Sequence, residues 1–148
     1  MKSGIILLLV FIAGLLACRQ ELRGKAVPPQ VQHAFQANFP QAQAAEWRQT
    51  SRHRFEGEFK QGGLLHKVQL DEKGSLLLHK AEVPATALPD LVQTALAKKK
   101  KGAQVETLEK VEHGDQVYYQ AELRGLLSHL KLVFKADGLP EQQFTYWE

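Results

Sequence analysis

"VPPQVQHAF" (Val27 to Phe35) and "LPDLVQTAL" (Leu88 to Leu96) carry one pattern twice. Aligned on Pro28 and Pro89, Val31 meets Val92, Ala34 meets Ala95 and Phe35 meets Leu96, a shift of 61 residues. Further on, "FEGEF" (Phe55 to Phe59) matches "YQAEL" (Tyr119 to Leu123), and "KVQLDEKG" (Lys67 to Gly74) matches "KLVFKADG" (Lys131 to Gly138), now shifted by 64. The second copy therefore carries about three extra residues in its first hairpin. Self-similarity of this kind decides an architecture, and it divides the chain into repeats 27–84 and 85–148.

Each copy reads as one helix followed by strands. Val31, Ala34, Phe35 and Phe39 fall at helical spacing, as do Leu88, Val92, Ala95 and Leu96. Proline suits the first helical turn, and Pro40 ends the first helix. The strand segments alternate. Phe55, Gly57 and Phe59 oppose Arg54, Glu56, Glu58 and Lys60; Tyr119, Ala121 and Leu123 oppose Tyr118, Gln120, Glu122 and Arg124; Leu130, Leu132 and Phe134 oppose His129, Lys131, Val133 and Lys135. This is the period of a sheet with one buried and one wet face. Turns fall at Gln61–Gly63, Asp71–Gly74, His113–Asp115 and Asp137–Gly138. The expectation is an α+β fold: two tandem α-β4 units forming one curved antiparallel sheet, with two helices on one face and the other face open.

These residues resemble a known group. A Pro-led helix ending at an aromatic-Pro pair (Phe39-Pro40), a Trp several residues on (Trp47), then "DEKG", "LPDLV", "QVYYQAEL" and "KADG" are similar to the PepSY-like, beta-lactamase-inhibitor-like group of exported bacterial lipoproteins. The resemblance spans 27–148 and departs at Lys100-Lys101, where an aromatic-Pro pair is expected. It implies a sheet that grips another protein and brings no catalytic residues. A shared fold does not fix function.

Outward toward the N-terminus, Lys2 precedes the apolar run "GIILLLVFIAGLLA" (Gly4 to Ala17). A charge, a short apolar stretch and a small residue are the plan of a signal peptide, here 1–17; about 20 apolar residues are needed to span a bilayer. The lone cysteine, Cys18, follows Leu15-Leu16-Ala17, which resembles a lipobox. Cys18 is expected to carry acyl chains and to anchor the chain to the membrane through a tether, 18–26. Several acyl chains give stable anchoring where one is marginal. Arg19 and Gln20 are not the acidic residues that retain lipoproteins at the inner membrane, so outer-membrane placement facing the periplasm is expected.

The full chain has 19 Lys and Arg against 16 Asp and Glu, a net charge of +3. That near-balance is no nucleic-acid-binding stripe. One run stands out, "KKKK" (Lys98 to Lys101). It reads either as a contact to phosphates or lipid headgroups, or as a helix C-terminus complementing the macrodipole before Gly102.

Catalytic chemistry is not expected. The six histidines form no pair at helical spacing and no zinc motif; His53, His66 and His79 could meet across hairpins as ordinary strand residues. Glu56 and Glu58 share a strand face, which a solvated pairing with Lys67 explains. There is no nucleophile elbow and no phosphate loop. Neither a cofactor nor a metal is expected.

The open face is the candidate site. The residues assigned to partner binding are Trp47, Arg54, Glu56, Lys67, Tyr118, Arg124, Lys131 and Trp147. In the tail, read as a last strand, Phe144 and Tyr146 share one face and Thr145 and Trp147 the other. Aromatics and arginines among mixed charges dominate protein contacts. The expected function is a lipid-anchored envelope module that binds a protein or peptide and is inhibitor-like. The alternatives are a sensor of a small ligand or cation, and a structural envelope lipoprotein. No feature sets the oligomeric state.

Overall fold

The computed structural model describes residues 27–148. The signal segment, Cys18 and the tether lie outside the described residues. In chain order the elements are α1 (Pro29–Asn38), β1 (Glu46–Ser51), β2 (Arg54–Gln61), β3 (Leu64–Asp71), β4 (Leu76–Glu82), α2 (Asp90–Lys100), β5 (Gln104–His113), β6 (Gln116–Arg124) and β7 (His129–Lys135), with a short 3-10 turn at Ala85–Ala87. The seven strands form one sheet in sequential order, every neighbouring pair antiparallel. The fold is α+β, as expected.

The expectation of about four strands in the second half is corrected to three. The tail Gln143 to Glu148, read as a last strand, forms none. Pro140 makes one isolated bridge to Phe134, and the Glu141 N–H donates to the Val133 carbonyl at 2.9 Å. Pro140 itself has no N–H to offer a ladder. One oxygen of the Glu141 carboxylate then accepts the N–H groups of Gln143 at 2.6 Å and Gln142 at 2.8 Å. With those donors taken by a side chain, pairing stops and the chain leaves the sheet edge.

Register places both helices on one face. Phe55 pairs with Leu70, Gly57 with Val68, Val68 with His79, and His79 with Glu112. On the far side Leu108 pairs with Ala121 and Tyr119 with Phe134. Residues paired directly across strands share a face. Val31 and Phe35 of α1 pack on Phe55, Phe59, Val68 and Leu70. Val92 and Leu96 of α2, with Leu88, pack on Ala121, Leu123 and Phe134. The first cluster is aromatic: the Phe35 ring meets Trp47 and Phe59 edge-on at 5.4 and 4.9 Å.

Both helices begin at proline, Pro28–Pro29 and Pro89, without a side-chain cap. Lys98, Lys99 and Lys100 occupy the last turn of α2, where cations suit the macrodipole. Lys101 adopts the left-handed conformation at φ 40° and Gly102 follows at φ 86°, so the stop begins one residue before the glycine.

Candidate binding face

The helix-free face carries a line of cross-strand neighbours running Glu58, Lys67, Lys80, Val111, Tyr118 and Lys135. Beside it lie Glu56, Gln120, Glu122 and Lys131. An open face would leave such groups in water, yet Glu56 is 3% exposed, Lys80 7% and Gln120 1%. Polar side chains this deep need partners. The strands supply some: Lys67 pairs with Glu58 at 2.6 Å and Glu56 at 3.6 Å, and Lys80 with Glu109 at 2.9 Å. Arg48 of β1 also binds Glu56. The Lys67 hydrogen bond holds the Glu58 carboxyl below the usual glutamate range.

The tail supplies the rest. Phe144 stacks flat on Tyr118, ring centroids 4.6 Å apart. The Gln120 side-chain amide treats Trp147 as a strand would: it donates to the Trp147 carbonyl at 3.1 Å and accepts the Trp147 N–H at 3.2 Å. Lys80 Nζ donates to that same carbonyl at 2.7 Å and lies 5.5 Å from the indole centroid. The indole Nε1–H donates to Glu56 Oε2 at 3.3 Å. Lys67 Nζ reaches the Glu148 backbone carbonyl at 2.9 Å, and Lys131 pairs with the Glu148 carboxylate while sitting 5.0 Å from the Tyr146 ring. Burial, reinforced by Glu109, Glu122 and Glu148, raises the Tyr146 hydroxyl to about 12, despite the hydrogen bond with Thr107. The face is thus occupied by an extended segment of its own chain, held through both backbone and side chains.

Of the eight residues assigned from sequence, Glu56, Lys67, Tyr118, Lys131 and Trp147 meet in this arrangement. Arg54 begins β2 and is exposed, pairing in register with Asp71. Arg124, at the far end of β6, is exposed and binds Glu106. Trp47 lies on the opposite face, in the aromatic core. Sequence reasoning missed Arg48, Lys80, Glu109 and Gln120's central role. "LLLHKAE" of β4 does not alternate, so parity alone gave Lys80 no face; only its pairing with Lys67 does.

Two polar groups lie elsewhere. His66 Nδ1 and His79 Nε2 are 3.1 Å apart with nearly parallel rings, and His79 Nδ1 is 2.8 Å from Glu112 Oε2. They lie on the helix-bearing face at the seam between the two cores. Burial, then the neighbouring His79, pushes the His66 imidazole below its usual value. His53 does not join them; it bonds Glu72 at 2.6 Å. At the other end of the sheet, Glu106, Glu122 and His129 place ligand atoms within 4.8 Å of one another. His129 Nε2 lies 3.5 Å from Glu106 and 2.5 Å from Glu122, and Arg124 also binds Glu106.

No family model matches the chain, and no curated protein matches it in sequence. Solved structures do. A BLIP-like protein from Bacteroides fragilis shares 20% identity with a TM-score of 0.68, covering 84% of this chain and 95% of that one. A DUF2874 family protein from Bacteroides ovatus shares 18% with a TM-score of 0.70, covering 80% and 87%. A candidate periplasmic protein from Bacteroides eggerthii shares 16% with a TM-score of 0.73, covering 80% and 88%. The likeness is one of fold. Among the described residues, no helix is long and apolar enough to cross a membrane.

Proposed function

We propose that this protein is a binding module of the bacterial cell envelope that takes an extended segment of another protein on its helix-free sheet face, in the place its tail occupies. The observation that carries this is the tail itself. Gln120 and Lys80 grip the backbone of Trp147, while Glu56 and Tyr118 grip aromatic side chains. Backbone contacts give affinity and side-chain pockets give selectivity in peptide recognition. The preferred segment is aromatic and carries an acidic residue after the Trp position. The BLIP-like and candidate periplasmic neighbours support an inhibitor-like role in the envelope, and the module is read as binding without catalysis. The two halves are read as tandem PepSY-like units, and acylated Cys18 as the anchor that holds the module at the outer membrane.

The test is direct. Protein ending at Gln142 is expected to bind a synthetic peptide of residues 143–148 in calorimetry, and Gln120→Ala to weaken that binding by about tenfold or more. A folded, truncated protein with no affinity for the peptide would overturn the reading.

One observation favours a second reading, a cation sensor: the Glu106, Glu122 and His129 cluster. Titration of the full chain with Zn²⁺ or Ca²⁺ decides it; saturable binding lost in His129→Ala supports the sensor, and no binding removes it.

A further inference from the structure

The β6–β7 hairpin turns through "RGLLS", Arg124 to Ser128, closed by the Gly125 N–H donating to the Ser128 carbonyl at 2.8 Å. Its tip is Leu126 and Leu127, which are 99% and 98% exposed. Tight turns are built from Gly, Asn, Asp, Ser and Pro; two bare leucines side by side contribute nothing to the turn or to either core. Lone exposed leucines are ordinary. These two have a particular neighbourhood. A cleft of about 460 Å³ is lined by Lys99, Lys100 and Lys101 from the end of α2 and by Leu123, Leu126 and Leu130 from the hairpin.

All four lysines of the run are exposed. None is in an ion pair with another described residue. The acidic groups at this end of the sheet have other partners: Glu106 pairs with Arg124, and Glu122 lies 2.5 Å from His129 Nε2. The macrodipole accounts for cations in the last turn of α2, but not for a bare leucine pair beside them.

We propose that this end of the molecule is a membrane-docking edge, in which Leu126 and Leu127 enter the interface of an anionic bilayer while Lys98 to Lys101 contact its headgroups. Apolar tips and clustered lysines are complementary to the two layers of such a surface. The contact is separate from the peptide-bearing face and from Cys18. An anchored chain would gain a fixed orientation from it.

The experiment uses the full chain reconstituted with phosphatidylglycerol-rich vesicles or with phosphatidylcholine vesicles, each containing lipid brominated near the glycerol. Leu127→Trp serves as the reporter, read against the parent chain to account for Trp47 and Trp147. Quenching beyond the parent is expected in anionic vesicles and is expected to fall several-fold in neutral ones or in high salt. Replacing the four lysines by glutamine should remove it, with folding checked by circular dichroism. Reporter emission equal to that of water-exposed Trp in both vesicle types would overturn the proposal. So would quenching that ignores lipid charge. A concentration-dependent blue shift without vesicles would also overturn it, by showing that a second copy covers the tip.

Discussion

The two halves of the chain, 27–84 and 85–148, solve one packing problem with different side chains. Each sets a turn glycine against its helix backbone: a side chain on Gly74 would meet the Gln30 carbonyl at 2.8 Å, and one on Gly138 the Leu91 carbonyl at 2.5 Å. Each then fills one cross-strand position. The first half pairs Trp47 with Gly57 and the second pairs Leu108 with Ala121. A large residue faces none, or a medium one faces a small one. The halves part at their last segment. β4 is held in the ladder by β5. Among the described residues no further strand pairs beyond β7, and the tail lies across the helix-free face instead. An unpaired sheet edge is a liability, and a tail that leaves the edge becomes available to fill a face.

The largest effect expected comes from exchanging the two packing solutions. Trp47→Leu leaves a cavity beside Phe35 and should cost about 2–4 kcal/mol. Gly57→Ala drives a methyl to within 2.9 Å of the Trp47 ring and should cost about 1–3 kcal/mol. The double variant copies the second half, so its loss should fall short of the sum by about 0.5–3 kcal/mol. Urea denaturation of the four proteins measures this. Strict additivity would break the equivalence of the two positions.

That equivalence was legible in the sequence only in part. The helices, the turns and the alternation of β2, β6 and β7 follow from period and proline, because each buries a single face. Trp47 was misplaced because a lone aromatic after a helix has no partner in the sequence to fix its side; the gap at Gly57 that receives it is visible only in the register. Lys80 was missed because β4 is apolar on both sides. The tail was read as a strand because Phe144 to Trp147 alternate. Nothing in that alternation shows Glu141 taking the N–H groups a ladder needs. Cys18 and the segment before it lie outside the described residues.

The next effect is smaller and concerns how the halves meet at the tail. A shift of 64 residues relates Glu56 to Gln120 and Lys67 to Lys131. Both members of the first pair bind Trp147, and both members of the second bind Glu148. The two are not equal. Gln120 is 1% exposed and makes two hydrogen bonds to the Trp147 backbone, so Gln120→Ala should cost about 1–3 kcal/mol. Lys131→Ala removes a solvent-screened pair and should cost less than that. Hydrogen exchange at the Trp147 amide should rise strongly in the first variant and weakly in the second. Equal exchange in both would show that the tail is held mainly by charge.

The smallest effect separates the halves by pH. The His66–His79 contact belongs to the first half alone; the position matching His66 in the second is Leu130, again 64 residues on. Burial holds the folded His66 below its ordinary 6.5. The unfolded chain therefore binds a proton first on acidification, and stability falls as pH drops through 6.5 and levels off below the folded value. His66→Leu, which copies the second half, should remove this step from the pH dependence of the urea midpoint. The tail responds later and with its own carboxylates. Lys131 lowers Glu148, Lys67 lowers Glu58, and the backbone N–H groups of Gln143 and Phe144 lower Glu141, all from 4.5. Their contribution is complete above that value and is lost as pH falls through the depressed folded ones. Tryptophan emission should therefore report release of Trp147 below about pH 4.5, unchanged in His66→Leu. A single transition, shifted as a whole by that substitution, would show that the tail and the first half do not separate.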